Sequence, residues 1–188
     1  MSLLIPVDNQ ISLRFILPQH ANELAEVIDD NRSHLARWLP WATDDYRVEG
    51  VRAWIDAVNK AFGVRTELAL SIVSDGAIVG GIGWTNWVMV NHVAWNMRTA
   101  SAEIGYWLAQ DAEGQGIVTR STRAFIEFGF REMDMDRIVI RAEPENQRSW
   151  AVAERLGFQY EGTLRHVCYW KDRWVDHRCY AMLKKEWT

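Results

Sequence analysis

The hydrophobic period of this chain changes repeatedly between that of a helix and that of a strand. The order of the changes limits the chain to mixed α/β architectures. Val51, Trp54, Ile55, Val58 and Phe62 recur at helical spacing, with Gly63 where that helix should stop. Residues 67–73 and 77–84 are apolar runs on either side of Asp75-Gly76, a dipeptide that favours a tight hairpin. Residues 11–16 read as an opening strand that Pro18 ends, and Ala21, Leu24, Ala25 and Ile28 then share one helical face. Residues 31–45 read as irregular, with a short helix up to Trp38, and 85–100 as a hairpin extension or loop. Residues 102–109 read as a strand with Gly105 inside it, a place for a bulge. The next helix puts Ile117, Ser121, Ala124, Phe125 and Phe128 on one face. Residues 137–142 are a short apolar strand. A helix beginning at Pro144 then carries Ser149, Val152, Ala153 and Leu156 on one face and stops at Gly157. Strands near 158–169 and 175–184 close the chain. The order β-α-α-β-β-β-α-β-α-β-β predicts one domain over residues 1–188, a sheet of mixed strand direction with helices on both faces.

Composition removes several function classes. Of the 188 residues, 48% are hydrophobic and 24% charged, which are globular proportions. The net charge is -4 and no long basic run is present, so broad electrostatic binding to nucleic acid is not expected. Two cysteines, Cys168 and Cys179, are too few for a disulfide framework and lack metal-ligand spacing. No metal is expected. No apolar run of about 18 residues and no signal-peptide pattern occurs, so the expected location is the cytoplasm, without a membrane partner. Eleven tryptophans is a high count. Several belong in the core, and others, Trp38, Trp41, Trp84 and Trp87, fall in or near predicted loops, where aromatics line pockets or interfaces.

Two constellations carry chemistry. The first is a strand, then Glu113-Gly114-Gln115-Gly116-Ile117-Val118-Thr119, then a helix. Glycines let a backbone approach a ligand, and the free amides of a helix N-terminus attract phosphate. A dinucleotide fold would need a third glycine where Thr119 stands and an earlier place in the chain. A plain glycine turn is the simpler alternative. The second is Asn146-x-x-Ser149-x-x-x-x-Glu154-x-Leu156-Gly157-Phe158. Asn146 stands at a helix start, where its amide can bond an extended ligand. The Ser149 hydroxyl, on the apolar face, needs a partner, which its own helix carbonyls could supply.

Together the two constellations resemble the GNAT superfamily of acetyl-CoA-dependent N-acetyltransferases over residues 9–185. Ile104-Gly105-Tyr106-Trp107-Leu108, Phe158-Gln159-Tyr160-Glu161-Gly162 and the closing stretch Trp170–His177 are similar to its RimJ/RimL branch, whose named members acetylate N-terminal α-amines of ribosomal proteins. The resemblance implies a mostly antiparallel mixed sheet, splayed between the fourth and fifth predicted strands. It implies acetyl-CoA as co-substrate, held by Tyr106, Trp107, Leu108, Gly114, Gln115, Gly116, Ile117, Val118, Thr119, Asn146 and Ser149. It also implies Ser149 as proton donor to the departing thiolate, since Ala153 stands where many members have tyrosine. The superfamily loop is [Q/R]-x-x-G-x-[G/A]. Glu113 and Val118 depart from it, so the Glu113 side chain should point outward, leaving backbone amides to bind. Cys168 stands where branch members can carry a glutamate that acts on the amine.

Acetyl transfer needs a neutral amine, a donor for the tetrahedral oxyanion and a protonated leaving thiolate. An α-amine has a pKa of about 7.7–8.0, so a strong base is unnecessary. Glu103, beside Ile104, is the leading candidate base, with His166 and His177 as alternates. The oxyanion donor is expected from a backbone N–H at the bulge near Tyr106–Leu108. The acceptor side is expected from 31–45 and 85–100, with Trp38, Trp41, Trp84, Trp87 and Cys168. Asp44, Asp45 and Glu49 read as a solvated cluster before a helix rather than an ammonium site. The acceptor expected from the resemblance is a protein N-terminal amine of ribosomal type. A small amine or aminoacyl-nucleotide antibiotic, and a CoA-binding protein without turnover, are the alternatives. Homodimers are common in this branch, and the tryptophan excess is compatible with one.

Overall fold

The computed structural model describes residues 3–92 and 97–188. Eight strands hydrogen-bond in the order β1-β2-β3-β4-β5-β6-β8-β7. They are β1 Leu4–Pro6, β2 Ile11–Phe15, β3 Leu68–Ser74, β4 Ala77–His92, β5 Met97–Leu108, β6 Arg137–Ala142, β7 Gln159–Trp170 and β8 Arg173–Leu183. The helices are α1 Ala21–Asp30, α2 Arg32–Leu35, α3 Val48–Gly63, α4 Ile117–Arg131 and α5 Gln147–Arg155. The β1–β2, β2–β3, β6–β8 and β8–β7 pairs are antiparallel, and β5–β6 is parallel. The fold is therefore the expected α/β one with a mixed sheet.

Two sequence readings need correction, the first strand and the start of the fifth helix. β1 was not anticipated, being three residues long with only one half-buried position. Of the two readings of 85–100, the hairpin extension holds: residues 85–92 and 97–100 are strand, extending β4 and β5, and residues 93–96 lie outside the described residues. The fifth helix begins at Gln147, after a turn at Pro144, with Asn146 as its cap.

The chain divides into two compact units. One comprises the chain up to Gly83 together with Tyr106–Phe125, and the other Trp84–Gly105 with Ile126–Thr188. In the first unit, β3 is buried on both faces: Leu68, Leu70 and Ile72 alternate with Ser71 and Val73. Val73 and Ile78 pack with Ala21, Leu24, Ala25 and Ile28 of α1 and Val51 and Ile55 of α3, as the helical spacing of those residues predicts. Asp75 and Gly76 both have positive φ (48° and 86°), the conformation a two-residue hairpin needs.

In the second unit, β6 alternates half-buried and buried residues. Ile138, Ile140 and Ala142 face the core, and Arg137, Val139 and Arg141 the other side. α5 packs on β6 and β8. α4 reaches the core through Gly129, where a Cβ would come within 2.8 Å of the Trp84 indole and 3.2 Å of Ile138. Parallel pairing of β5 with β6 joins Ser101–Glu103 to Arg137–Val139. It stops there, so Ile104 and Gly105 continue without a partner on β6. That loss of pairing is the local form of the predicted splay.

Candidate functional site

The first unit holds the glycine loop. Gly114 and Gly116 both lie at positive φ, 76° and 72°. Only glycine occupies that region without strain, and the two residues turn the chain from a 3₁₀ turn at Gln110–Ala112 into α4. A Cβ at Gly116 would find only the Arg120 guanidinium nearby, at 3.5 Å, so the loop surface is open. Arg120 is the first α4 residue whose N–H closes a bond onto the loop, to the Gly116 carbonyl at 3.0 Å. Ile117, Val118 and Thr119 precede it and have no helical carbonyl to bond, so their amides form the positive end of α4.

The loop is braced from its own side chains. Gln115 Nε2 donates to the Asp111 carbonyl at 3.1 Å, and Arg120 donates to the Gln115 carbonyl at 3.2 Å while pairing with Asp8 at 2.9 Å. Glu113 does not point at the helix terminus: its Oε1 lies 3.3 Å from Nε2 of His34 on α2. The Gln110 N–H donates to Asn31 Oδ1 at 2.8 Å, tying the same loop to the start of α2. The sequence offered no signal for either pairing, since Asn31 and His34 sit some 80 residues earlier in an irregular stretch.

Trp107 and Trp41 are brought together, with ring centroids 6.0 Å apart and edge-on. Tyr46 packs on Trp41 at 5.6 Å. Burial pushes the Tyr46 hydroxyl above its usual range. Trp38 is half-buried nearby in sequence, and Tyr106 is half-buried on β5. Trp107 also fits against β4 only because β4 carries two glycines. A Cβ at Gly80 would lie 2.3 Å from the Trp107 carbonyl, and one at Gly81 2.6 Å from its indole nitrogen. The segment after α2 is held by Arg32, which donates to the carbonyls of Thr43 and Tyr46 and pairs with Asp29. Asp44, Asp45 and Glu49 are exposed, in keeping with a solvated cluster.

The second unit holds the other constellation. Asn146 Oδ1 accepts from the Ser149 N–H at 3.2 Å, so the asparagine caps α5 and fixes the turn that carries Ser149. Ser149 is half-buried. The helix is clamped on β8 by Arg178, whose guanidinium lies over the Trp150 ring at 4.4 Å and the Tyr160 ring at 5.2 Å. Tyr180 donates to Glu154 at 3.0 Å, and burial with that bond pushes its hydroxyl up to about 12.

Glu103 is engaged before any substrate arrives. Its Oε2 pairs with the Arg141 guanidinium and accepts from Asn86 Nδ2 at 3.2 Å. That partnership, invisible in a sequence separation of 38 residues, raises the Arg141 pKa and places Glu103 in a structural ion pair. Trp84 and Trp87 are 1% and 4% exposed and belong to the core rather than to an acceptor surface. β4 runs on past Trp84 through Trp87 to His92, so both indoles are carried on a strand. Cys168 is half-buried opposite Val175, beyond an irregularity in which four steps along β7 answer two along β8. His166 sits in that irregularity at φ 54°, its N–H donating to Asp176 at 2.9 Å and its ring stacked on Trp174 at 5.1 Å. Among the described residues no cluster of side chains suits a metal ion, and no helix is long and apolar enough to cross a membrane.

A glycine turn feeding a helix N-terminus, a capped helix bearing a serine, and a parallel pair that parts after three residues define one class of protein. The model of the acetyltransferase (GNAT) domain matches residues 10–159, and the chain belongs to that family of N-acetyltransferases. YdaF of Bacillus subtilis (strain 168), a protein named by inference as a ribosomal N-acetyltransferase, is 33% identical over 186 residues, covering 96% of this chain and 95% of its own. The ribosomal-protein-serine acetyltransferase of Escherichia coli (strain K12) is 26% identical over 183 residues, with 97% and 98% covered. Among solved structures, the RimL ribosomal L7/L12 α-N-protein acetyltransferase in complex with coenzyme A superposes with a TM-score of 0.87 at 26% identity, covering 96% of this chain and 98% of the other.

Proposed function

We propose that this protein moves an acetyl group from acetyl-CoA to a protein N-terminal α-amine of the ribosomal type, acting in the cytoplasm as a single catalytic domain. The observation that carries the reading is the glycine loop. Two glycines at positive φ present the first amides of α4, and Glu113, an acid beside that terminus, is turned onto His34. Acetyl-CoA supplies an activated acyl group as a thioester. Gly114 to Thr119 hold its phosphates through backbone N–H groups. Tyr106, Trp107 and Leu108 give it a strand edge to follow, and a backbone N–H among them is the donor for the developing oxyanion. Asn146 sets the first turn of α5, and the Ser149 hydroxyl protonates the departing thiolate. Trp38 and Trp41 belong to the acceptor side, and Cys168 leaves that side without the carboxylate the branch can use.

The acceptor class follows the relatives named for ribosomal proteins and the chemistry of an α-amine, a good fraction of which is neutral near pH 7. The test is mass spectrometry after incubation with acetyl-CoA and two acceptors in parallel, a peptide with the free N-terminal serine of L7/L12 and a small primary amine. Acetylation of the peptide terminus supports the proposal. Acetylation of the small amine alone moves the chain to detoxification, and acetyl-CoA binding without transfer to either leaves a non-catalytic CoA-binding protein.

A further inference from the structure

We infer that Arg120 is the side chain that grips a phosphate of CoA at the glycine loop, an assignment that rests on the acetyltransferase reading above. All the observations lie within the first unit. Arg120 stands in the first turn of α4. Side chains on a helix lean toward its N-terminus, so a residue in that turn covers the loop that precedes the helix. Arg120 does so. Its Nη1 donates to the Gln115 carbonyl at 3.2 Å, five residues back. The same nitrogen lies 3.5 Å from the place a Cβ on Gly116 would take. Apart from the adjoining residues, no other described atom comes within 4 Å of that place. The guanidinium is therefore the side-chain group set against the bare face of Gly116.

The guanidinium is held without being used up. Its Nε pairs with Asp8 Oδ2 at 2.9 Å. Asp8 is itself fixed, because its Oδ1 accepts the Gln10 and Ile11 N–H groups, both at 2.9 Å. A guanidinium has five N–H donors in a planar fork, more than one carboxylate oxygen and one carbonyl take up. The Arg120 side chain is 47% exposed, so its remaining donors are open to a ligand. A rigid fork of that kind matches phosphate oxygens two at a time.

The charges call for such a group. A CoA molecule carries a pyrophosphate and a 3′-phosphomonoester, and a monoester alone bears about −1.5 to −2 near pH 7. The end of a helix offers only about +0.5. The free amides of Ile117, Val118 and Thr119 are neutral donors. Glu113, next to the loop, is an acid and lies on His34. Arg120 supplies the cation that the backbone lacks, at the surface where the two glycines leave room for a ligand to approach.

The test is calorimetry of CoA and of 3′-dephospho-CoA binding to wild type, Arg120→Gln, Arg120→Lys and Asp8→Asn. Each is measured at low and at 0.5 M salt, with a melting temperature. Arg120→Gln should weaken CoA binding about tenfold at low salt, as the loss of one partly exposed charge-assisted contact. The deficit should shrink at 0.5 M salt. Arg120→Lys keeps the charge without the fork and should recover part of the loss. Asp8→Asn breaks the ion pair, keeps an oxygen for the Gln10 and Ile11 N–H groups and leaves the guanidinium in place. Its CoA affinity should equal that of wild type or exceed it. An Arg120→Gln deficit seen with CoA alone assigns the contact to the 3′-phosphate, and an equal deficit with both ligands assigns it to the pyrophosphate; either supports the proposal. An Arg120→Gln affinity equal to wild type overturns it. So does an Asp8→Asn loss as large as that of Arg120→Gln, which would make Arg120 a brace for the loop. A wild-type protein that binds neither ligand overturns the acetyltransferase reading, and this one with it.

Discussion

Glu113 Oε1 and His34 Nε2 lie 3.3 Å apart, with side chains 24% and 15% exposed, and that contact decides which way the glycine loop presents its charge. The family pattern has a glutamine or arginine at this position. A carboxylate there is tolerable only if it is held off the helix terminus where phosphate is to bind. Releasing it by His34→Ala should weaken acetyl-CoA binding by a factor of roughly 3 to 10, about 0.5–1.5 kcal/mol for one partly screened charge. Glu113→Gln added to His34→Ala should restore the affinity. Calorimetry at low and at 0.5 M salt checks both, and a His34→Ala affinity equal to wild type at low salt would show that the pairing does not shield the loop.

Gly80→Ala should be among the most disruptive single changes in the first unit. The added methyl would meet the Trp107 carbonyl at 2.3 Å, a backbone atom that cannot step aside. The expected cost is at least about 1–3 kcal/mol, read from urea denaturation. Gly63→Ala is the matched control, because a Cβ at Gly63 meets nothing within 4 Å.

Asn146→Ala removes the cap that sets the Ser149 turn. It should lower stability by about 1 kcal/mol. Asn146→Asp keeps an accepting oxygen and should retain most of that stability, while placing a carboxylate beside the proposed cofactor path. A lower acetyl-CoA affinity with near-normal unfolding is the expected pattern for Asn146→Asp.

Arg178→Met keeps the stem and loses the cation over Trp150 and Tyr160. We expect a loss of about 1–2 kcal/mol for the stacked pairs. A fall in kcat larger than the rise in the KM for acetyl-CoA should accompany it, because α5 would sit less firmly under Ser149. Thermal unfolding and steady-state kinetics separate the two effects.

The folded protein should lose stability as the pH drops below about 6.5. His177 and His20 both have imidazoles held below their usual value, each chiefly by burial and then by a neighbouring arginine. Just below pH 6.5 the unfolded chain therefore binds more protons than the folded one. Their contribution is full above that pH and is lost as the pH falls through the lower native values. Urea midpoints measured at pH 7, 6 and 5 should decline, and His177→Gln should decline less steeply.

Much of this protein was legible before any coordinates. The α3 face, the Asp75-Gly76 turn and the glycines before α4 are local facts. Spacing along a helix, or a φ that only glycine reaches, is written within a few adjacent residues. Residues 85–100 stay open between a hairpin extension and a loop because they lack a clear period, and the strands there are recognisable only from their partners. Trp84 and Trp87 are expected at an acceptor surface from their place near that segment, whereas the strand that runs to His92 carries them into the core.

The α/β class, the two motifs and the family they resemble are read from residues close together in the chain, because each depends on local neighbours. The sequence could not determine which charges meet. Glu103 with Arg141, Glu113 with His34 and Trp107 against Gly80 are pairs set by strand register and helix placement. Such pairings are long-range consequences of burying one apolar face, and they assign each polar side chain a partner or leave it, like Nδ1 of His177, without one among the described residues. That is why the motif glycines could be recognised in the sequence, while the engagement of Glu103 and the open nitrogen of His177 were decided only in the folded chain.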